Sequence, residues 1–365
     1  MELKPKKIAV ICDYLLLPTR VGGMDAFFWA FDRACKAQQI EVDWYFPNES
    51  RHGDYANLTL FSAEGKNMLR FFYEHAPIAS YALIVTHFTE ICGPIFKEIF
   101  RVAHTPMYVV VHNAAPKVEV GLKQRITNKL KGKLYSRYIA QYVVVSAAAK
   151  EELIKKWGAV IANKITLIPN GVWVHPNWKK TPQPATNRFI TACHLHPDKG
   201  LQDLIAAVAQ LPLQQLPPFE IDIYGEGMYK KSLEQLVDEH GLNAIFTFKG
   251  NVPQVMSLYK NYDYLIHPSL RESFCYTVIE ALMLDVPVIT TKEAGNVLGI
   301  LREGVHGWLY EAGNVAQLQL HLQQILTGHR MLLDSTDRDK KLHNLTLEAM
   351  VLGYMGIVEK HTNTA

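Results

Sequence analysis

Strand-like and helix-like stretches alternate along this chain in two successive rounds, separated by a proline-bearing segment that has no periodicity. Lys7 to Cys12 reads as a strand, Asp13 to Gly23 as a loop, and Met24 to Gln38 as an amphipathic helix with Phe27, Phe28, Phe31 and Cys35 on or near one face. Further strands are predicted at Glu41 to Phe46, Tyr81 to Val85, Met107 to Val111, Tyr142 to Val145 and Ile165 to Ile168, with helical stretches such as Ala63 to His75 and Ala147 to Trp157 between them. Trp173 to Asn187 carries Pro176, Pro182 and Pro184 among polar residues, the composition of a linker. The alternation then restarts at Phe189 to Cys193 and continues through Phe219 to Tyr224, Ile245 to Lys249 and Asp263 to Pro268, with the loop Gly250-Asn251-Val252-Pro253 followed by a helix that carries the chain to Tyr262. Such alternation demands a parallel sheet in each half. The expected architecture is therefore α/β: one Rossmann-like domain at 1–175, a linker at 176–186 and a second domain at 187–341, with loops that would face a shared cleft. Gly304 to Tyr310 reads as a hairpin-like turn and short strand, and Leu342 to His361 as a last amphipathic helix.

Composition narrows the function classes. The 365 residues are 48% hydrophobic and 20% charged, which suits two globular domains with ample core. A net charge of +3 is too small to argue for nucleic acid. Five scattered cysteines predict neither disulfides nor a metal site and point to a reducing compartment. No run approaches the length of a membrane span, and the apolar run after Lys4, Lys6 and Lys7 is too short for a signal peptide, so the expected location is cytoplasmic.

Ser269 to Thr290, SLRESFCYTVIEALMLDVPVIT, carries the densest chemistry. Glu272 falls in the loop closing the strand that ends at Pro268, and Glu280 lies one to two turns into the helix that follows. Two carboxylates beside the free N–H groups of a helix start could hold a ligand with hydroxyls at both ends and phosphate between, such as a nucleotide sugar. Taken alone, such a pair is more often a solvated loop residue and a helix-face charge; the surrounding residues change that balance.

Other candidates are weaker singly. Gly22-Gly23 between strand and helix lets backbone approach a phosphate or sugar, or only makes a tight turn. His112 ends a parallel strand where open sheets bind ligands; it could hydrogen-bond a sugar, help stabilise charge or be structural. Lys123, Arg125, Lys129, Lys131, Lys133 and Arg137 interleave with Leu122, Ile126, Leu130 and Leu134. That pattern reads either as the solvated face of a packed helix or as a surface resting on an anionic membrane. Asp337 and Asp339 form the only Asp-x-Asp, in a charged segment unsuited to a metal site.

Together, Glu272 and Glu280 in an E-x7-E pattern, Pro268-Ser269, Gly22-Gly23, Pro169-Asn170-Gly171-Val172, Gly225-Glu226-Gly227 and Lys199-Gly200 resemble glycosyltransferase family 4, retaining enzymes of the GT-B fold. The resemblance implies that the final helix, about 342–365, crosses back to the first domain. It implies that Glu272 holds donor-sugar hydroxyls with the N–H groups of Ser273, Phe274 and Cys275, and that Glu280 holds the ribose. Lys199 would neutralise the departing diphosphate. Gly22 and Gly23 would approach phosphate or acceptor, His112 would lie against the donor sugar, and Gly225, Gly227, Asn251 and Val252 would lie near the base. The acceptor would meet Arg20, Glu90, His112 and Asn113.

Two departures stand out. His194 occupies the position, five residues before the lysine, where the family commonly has arginine, so phosphate binding would be weaker, pH-dependent, or shared with Arg271 or His196. The loop Glu272 to Cys275 lacks the family's usual glycines. The implied activity is transfer of a hexose-type sugar from a nucleotide diphosphate to a glycan or lipid-linked acceptor in cell-surface polysaccharide or lipopolysaccharide assembly, with no metal or other cofactor. The alternatives are a sugar-nucleotide epimerase of similar fold and a non-catalytic sugar-nucleotide-binding partner of another transferase.

Overall fold

A computed structural model describes residues 6–18, 21–112, 121–181, 183–330 and 335–362. The chain forms two compact units, Met1–Gly171 with Thr346–Ala365, and Val172–Leu345.

In the first unit the strands are β1 (Lys7–Cys12), β2 (Glu41–Phe46), β3 (Thr59–Ser62), β4 (Leu83–His87), β5 (Met107–Val111), β6 (Gln141–Val144) and β7 (Ile165–Leu167). They lie in the order β3-β2-β1-β4-β5-β6-β7, and every pairing is parallel. The helices are α1 (Gly23–Ala37), α2 (Met68–His75), α3 (Pro94–Val102), α4 (Leu122–Tyr135), α5 (Ala147–Trp157) and a C-terminal helix, Leu347–Thr362. Because helices cover the sheet, β4 and β5 are buried at every residue, and their sequences are correspondingly continuous in apolar character. The core is aromatic: Phe27, Phe28 and Phe31 of α1 meet Trp44 and Phe46 of β2, and Tyr354 of the C-terminal helix closes on Phe27 with ring centroids 4.8 Å apart.

The second unit repeats the plan with β8 (Arg188–Ala192), β9 (Glu220–Tyr224), β10 (Phe246–Gly250), β11 (Tyr264–His267), β12 (Val288–Thr291) and β13 (Gly307–Tyr310), all parallel in the order β10-β9-β8-β11-β12-β13. Its helices are α6 (Leu201–Ala209), α7 (Lys230–Glu239), α8 (Tyr276–Met283), α9 (Val315–Leu326) and α10 (Ser335–Leu342). The Asp337/Asp339 pair falls on α10.

Several expectations require correction. The segment read as a linker packs into the second unit, so the boundary falls after Gly171 and not at 175–187. Asp263 is the cause: its carboxylate accepts from the N–H groups of Thr186 and Asn187, both at 2.7 Å, and pairs with Lys180, whose own N–H bonds Leu284 O. Prolines and polar residues indicated a spacer, but the anion that pins it lies some 80 residues further on. Of Gly304 to Tyr310, the short strand is present as β13, but it pairs in parallel with β12 and not in a hairpin; a Cβ at Gly307 would come 2.0 Å from Val288 O. The stretch before Tyr262 is a 3-10 helix, Val255–Asn261, and α2 starts only at Met68, where the Asn67 side chain caps the N–H of Arg70. Edge strand β3 was not foreseen.

Helix α4 turns its apolar stripe outward. Leu122, Ile126, Leu130 and Leu134 are all more than half exposed, whereas the buried residues are Asn128 and Gly132. Gly132 permits this: a Cβ there would lie 2.3 Å from Trp157 O, so the small residue lets α4 approach α5. No helix among the described residues is long and apolar enough to cross a membrane.

Candidate functional site

Open parallel sheets bind ligands outside the carboxyl ends of strands where the strand order reverses. In the second unit that point lies between β8 and β11. β8 feeds the loop 193–199 and β11 feeds the loop 268–275, so the fold itself brings together two segments some 70 residues apart.

They meet in an ion pair. Lys199 Nζ lies 2.5 Å from Glu272 Oε1, and His267 Nε2, at the last residue of β11, lies 3.2 Å from the same oxygen. Burial would raise the Glu272 carboxyl, but the hydrogen bond and charge of His267, then those of Lys199, hold it down to about 2. Burial would likewise lower Lys199, and Glu272 more than reverses this, so the ammonium is retained. Gly200 makes the approach of the two loops geometrically feasible. It sits at φ +69°, and a Cβ would stand 2.0 Å from Pro268 O.

Glu280 lies just over one turn into α8, partly buried, and Tyr259 Oη donates to its Oε2 at 3.3 Å. Desolvation dominates here and pushes its carboxyl up to about 7 despite that bond. The two glutamates of one motif are thus oppositely tuned: ion pairing holds the Glu272 carboxyl down, and burial pushes that of Glu280 up.

The remaining predicted residues of this unit lie on the loops that follow β8, β9, β10 and β11. Cys275 caps α8 in the left-handed region, φ +64°, where glycine would be unstrained, and its Sγ donates to Ala294 O. Phe274 is buried, Ser273 and Arg271 are partly buried, and His194, Asn251 and Val252 are exposed. Gly225, at φ +130°, bonds Gly250 O through its N–H; a Cβ would lie 1.9 Å from Cys193 O. At Gly227 the corresponding distance to Leu195 O is 2.2 Å. Both glycines therefore let the loop after β9 lie against the loop after β8. His267, Glu272 and Cys275 present ligand-type atoms within 4.8 Å of one another, but Lys199 already supplies a cation to Glu272 Oε1.

In the first unit the order reverses between β1 and β4. Gly22 precedes α1, its N–H donating to Asp25 Oδ2 at 2.8 Å. Asp25 is fully buried and also accepts from Tyr55 and Tyr14, an anchor that sequence reading did not single out. Glu90, after β4, is exposed, with Oε1 4.0 Å from Lys131 Nζ. His112, after β5, stacks on Phe88 with centroids 4.0 Å apart and shares a 2.9 Å hydrogen bond with His87. Burial lowers His112 to about 3, so the ring is neutral at pH 7 and its available chemistry is hydrogen bonding, not charge. Arg20 and Asn113 lie outside the described residues.

His267, Tyr259 and Asp25 went unmarked because each also depends on a contact that only the fold supplies: His267 with Thr290, Tyr259 with Glu280 and Asp25 with Tyr55. Only the position of His267, last in a strand before the Glu272 loop, was a usable signal.

Comparison with known proteins bears on the family and the fold. The chain is 26% identical over 171 residues to the UDP-N-acetylglucosamine–peptide N-acetylglucosaminyltransferase GtfA subunit of Streptococcus gordonii, a match covering 46% of this chain and about a third (33%) of that protein. It is 23% identical over 299 residues to an uncharacterized glycosyltransferase, MJ1059, of Methanocaldococcus jannaschii, covering 72% of this chain and 71% of the relative. The crystal structure of Anabaena Alr3699/HepE in complex with UDP-glucose superposes with a TM-score of 0.74 at 18% identity, covering 97% of this chain and 99% of that one. Residues 21–174 match the Glycosyltransferase Family 4 model and residues 177–341 the Glycosyl transferases group 1 model, in immediate succession. With these matches spanning two parallel α/β units of GT-B architecture, the chain belongs to the family 4-like GT-B glycosyltransferases.

Proposed function

We propose that this protein is a retaining, metal-independent glycosyltransferase that moves a hexose-type sugar from a nucleotide diphosphate to a glycan or lipid-linked acceptor at the cytoplasmic face of a membrane. The reading is carried by the Lys199–Glu272 pair at the switch point of the second sheet. A cation and an anion held together there match the two ends of the reacting bond, diphosphate on one side and sugar hydroxyls on the other.

In this mechanism the diphosphate draws Lys199 from Glu272. Lys199 then stabilises the charge that grows on the leaving oxygen, and Glu272 accepts from sugar hydroxyls. The acceptor hydroxyl attacks the anomeric carbon on the face the diphosphate leaves. The bond to the phosphate oxygen breaks with its electron pair going to that oxygen, which also takes the acceptor's proton. No protein nucleophile is required. Glu280 accepts from the ribose, which replaces the solvation that burial removes. Gly225, Gly227, Asn251 and Val252 flank the base, Arg271 and exposed His194 serve the phosphates, and the N–H groups of Ser273, Phe274 and Cys275 assist Glu272. In the first unit Gly22, Gly23, Glu90 and neutral His112 serve the sugar and the acceptor, as do Arg20 and Asn113.

In this proposal no metal is needed, because the ammonium of Lys199, once drawn to the diphosphate, does the work of a cation. UDP is the nucleotide favoured by the Anabaena structure, whose ligand is UDP-glucose. Cell-surface polysaccharide or lipopolysaccharide assembly is the setting expected of a lipid-linked acceptor. The outward apolar stripe of α4, flanked by Lys123, Arg125, Lys129, Lys133 and Arg137, is read as the surface that rests on anionic lipid.

Thermal stability against UDP-, GDP- and ADP-sugars, each with EDTA and with Mg²⁺, tests the reading, because a ligand that binds only the folded state raises the midpoint. One donor should stand out equally in both conditions, lose its effect in Glu280→Ala, and turn over with an acceptor extract. If no donor shifts the midpoint, the reading fails. A shift without turnover would favour the non-catalytic binding partner.

A further inference from the structure

His267 is buried at the carboxyl end of β11, where the backbone gives it no obvious duty. Its ring is held at both nitrogens. Nδ1 lies 3.1 Å from Thr290 Oγ1 on the neighbouring strand β12, and that hydroxyl in turn lies 2.7 Å from the carbonyl oxygen of His267. Nε2 lies 3.2 Å from Glu272 Oε1. A carboxylate can only accept, so the proton of this contact belongs to Nε2, and His267 is a donor to Glu272. Lys199 donates to the same oxygen. Both donors therefore fall on Oε1, and Oε2 receives no hydrogen bond among the described residues.

This asymmetry matters once a donor binds. A lysine is mobile and is drawn off by a diphosphate, whereas the His267 ring is locked by Thr290 and stays. We infer that His267 is a positioning residue for sugar recognition: it holds Glu272 by one oxygen so that the other faces the hydroxyls of the donor sugar after Lys199 has moved to phosphate. The inference rests on the proposed donor role of Glu272 and adds to it the group that keeps the carboxylate in register. Free nucleotide has no sugar for Glu272 to hold, so it should not register the loss of His267.

The test is calorimetric titration of the full-length protein with UDP, GDP and ADP and with UDP-glucose, UDP-N-acetylglucosamine, GDP-mannose and ADP-glucose. The nucleotide and sugar pair bound best by wild type is then measured in His267→Leu, His267→Gln and Thr290→Val. His267→Leu should weaken the nucleotide sugar about tenfold or more, the scale of a lost hydrogen bond to a charged group, and leave the free diphosphate within about twofold. His267→Gln, whose amide can donate from a similar position, should recover most of the loss. Thr290→Val keeps the ring and frees its orientation, so it should fall between and serves as the probe if His267→Leu does not fold. Parallel weakening of nucleotide and nucleotide sugar, or equal loss in the Leu and Gln variants, would overturn the inference while leaving the donor site in place. If wild type binds none of the sugars, the transferase reading falls and this inference with it.

Discussion

Replacing Glu280 with glutamine should remove a pH-dependent weakness from the ligand-free protein. Burial pushes this carboxyl from 4.5 up to about 7, against one compensating bond from Tyr259. Because the folded value is the higher, the stabilising contribution is fully present below about pH 4.5 and is lost as the pH rises through about 7. A gap of about 2.5 pK units, at about 1.36 kcal/mol each, is about 3 kcal/mol when both states are ionised, and about 2.5 kcal/mol of it develops between about pH 5 and pH 8. The side chain is only partly buried, and residual water should reduce this to about 1–2 kcal/mol. Other groups titrate differently. Glu272, depressed to about 2, contributes stability that is lost only as the pH falls below about 4.5 toward 2, outside the window. His87 and His112 are both depressed by burial, His112 to about 3; their contribution is present above about pH 6.5 and is lost as the pH falls, a slope opposite to that of Glu280. The wild-type profile is thus a mixture, and the difference between wild type and Glu280→Gln isolates one residue. Urea unfolding at about pH 5 and pH 8 should show the variant gaining about 1–2 kcal/mol relative to wild type at the higher pH. A difference that is the same at both values would refute the assignment of a desolvated carboxyl.

Three further outcomes follow from the geometry. Lys199→Met should lower kcat by about 10²- to 10³-fold, the scale of a lost charge-stabilising donor, while KM for the donor rises less; a steady-state assay showing KM alone affected would place the lysine in ground-state binding. Gly200→Ala should cost about 2 kcal/mol or more in urea unfolding, because the left-handed φ and the 2.0 Å approach of Pro268 O both oppose a methyl group, and an unchanged midpoint would contradict that packing. Ile126→Glu with Leu130→Glu should leave thermal stability unchanged, since both side chains are about half exposed, but reduce sedimentation with phosphatidylglycerol-containing vesicles at least tenfold relative to wild type; equal binding would remove α4 from the membrane.

What the sequence revealed depended on the range of the signal. Strands such as Leu83–His87 are buried on both faces, so their apolar runs declare a parallel sheet without any knowledge of neighbours. The E-x7-E pair was visible because loop, helix start and helix body are contiguous. Where a long-range partner decides, the local reading failed. Prolines made 176–186 look like a free spacer until Asp263 was seen to hold it, and a Gly-x-x-Gly turn before Trp308 suggested a hairpin although its strand pairs in parallel with β12. The stripe on α4 had the correct period, but periodicity does not say which side faces in. Gly132 decides that, through a contact with Trp157 25 residues away.

The two sheets support one argument about where function resides. In each, the strand order reverses once, beside β1 and β4 in the first unit and beside β8 and β11 in the second. Gly22 and Gly23 follow β1, Glu90 follows β4, Lys199 follows β8 and Glu272 follows β11. Residues selected from the sequence for their chemistry thus fall on the loops that topology independently marks as ligand-facing. A solvated loop carboxylate has no reason to be held at one oxygen by a lysine from the adjoining loop and a buried histidine from the strand end. Glu272 is so held, and a helix-face charge left to water would not have its carboxyl pushed up to about 7, as that of Glu280 is. Neither glutamate is therefore a simply solvated charge, and for opposite electrostatic reasons.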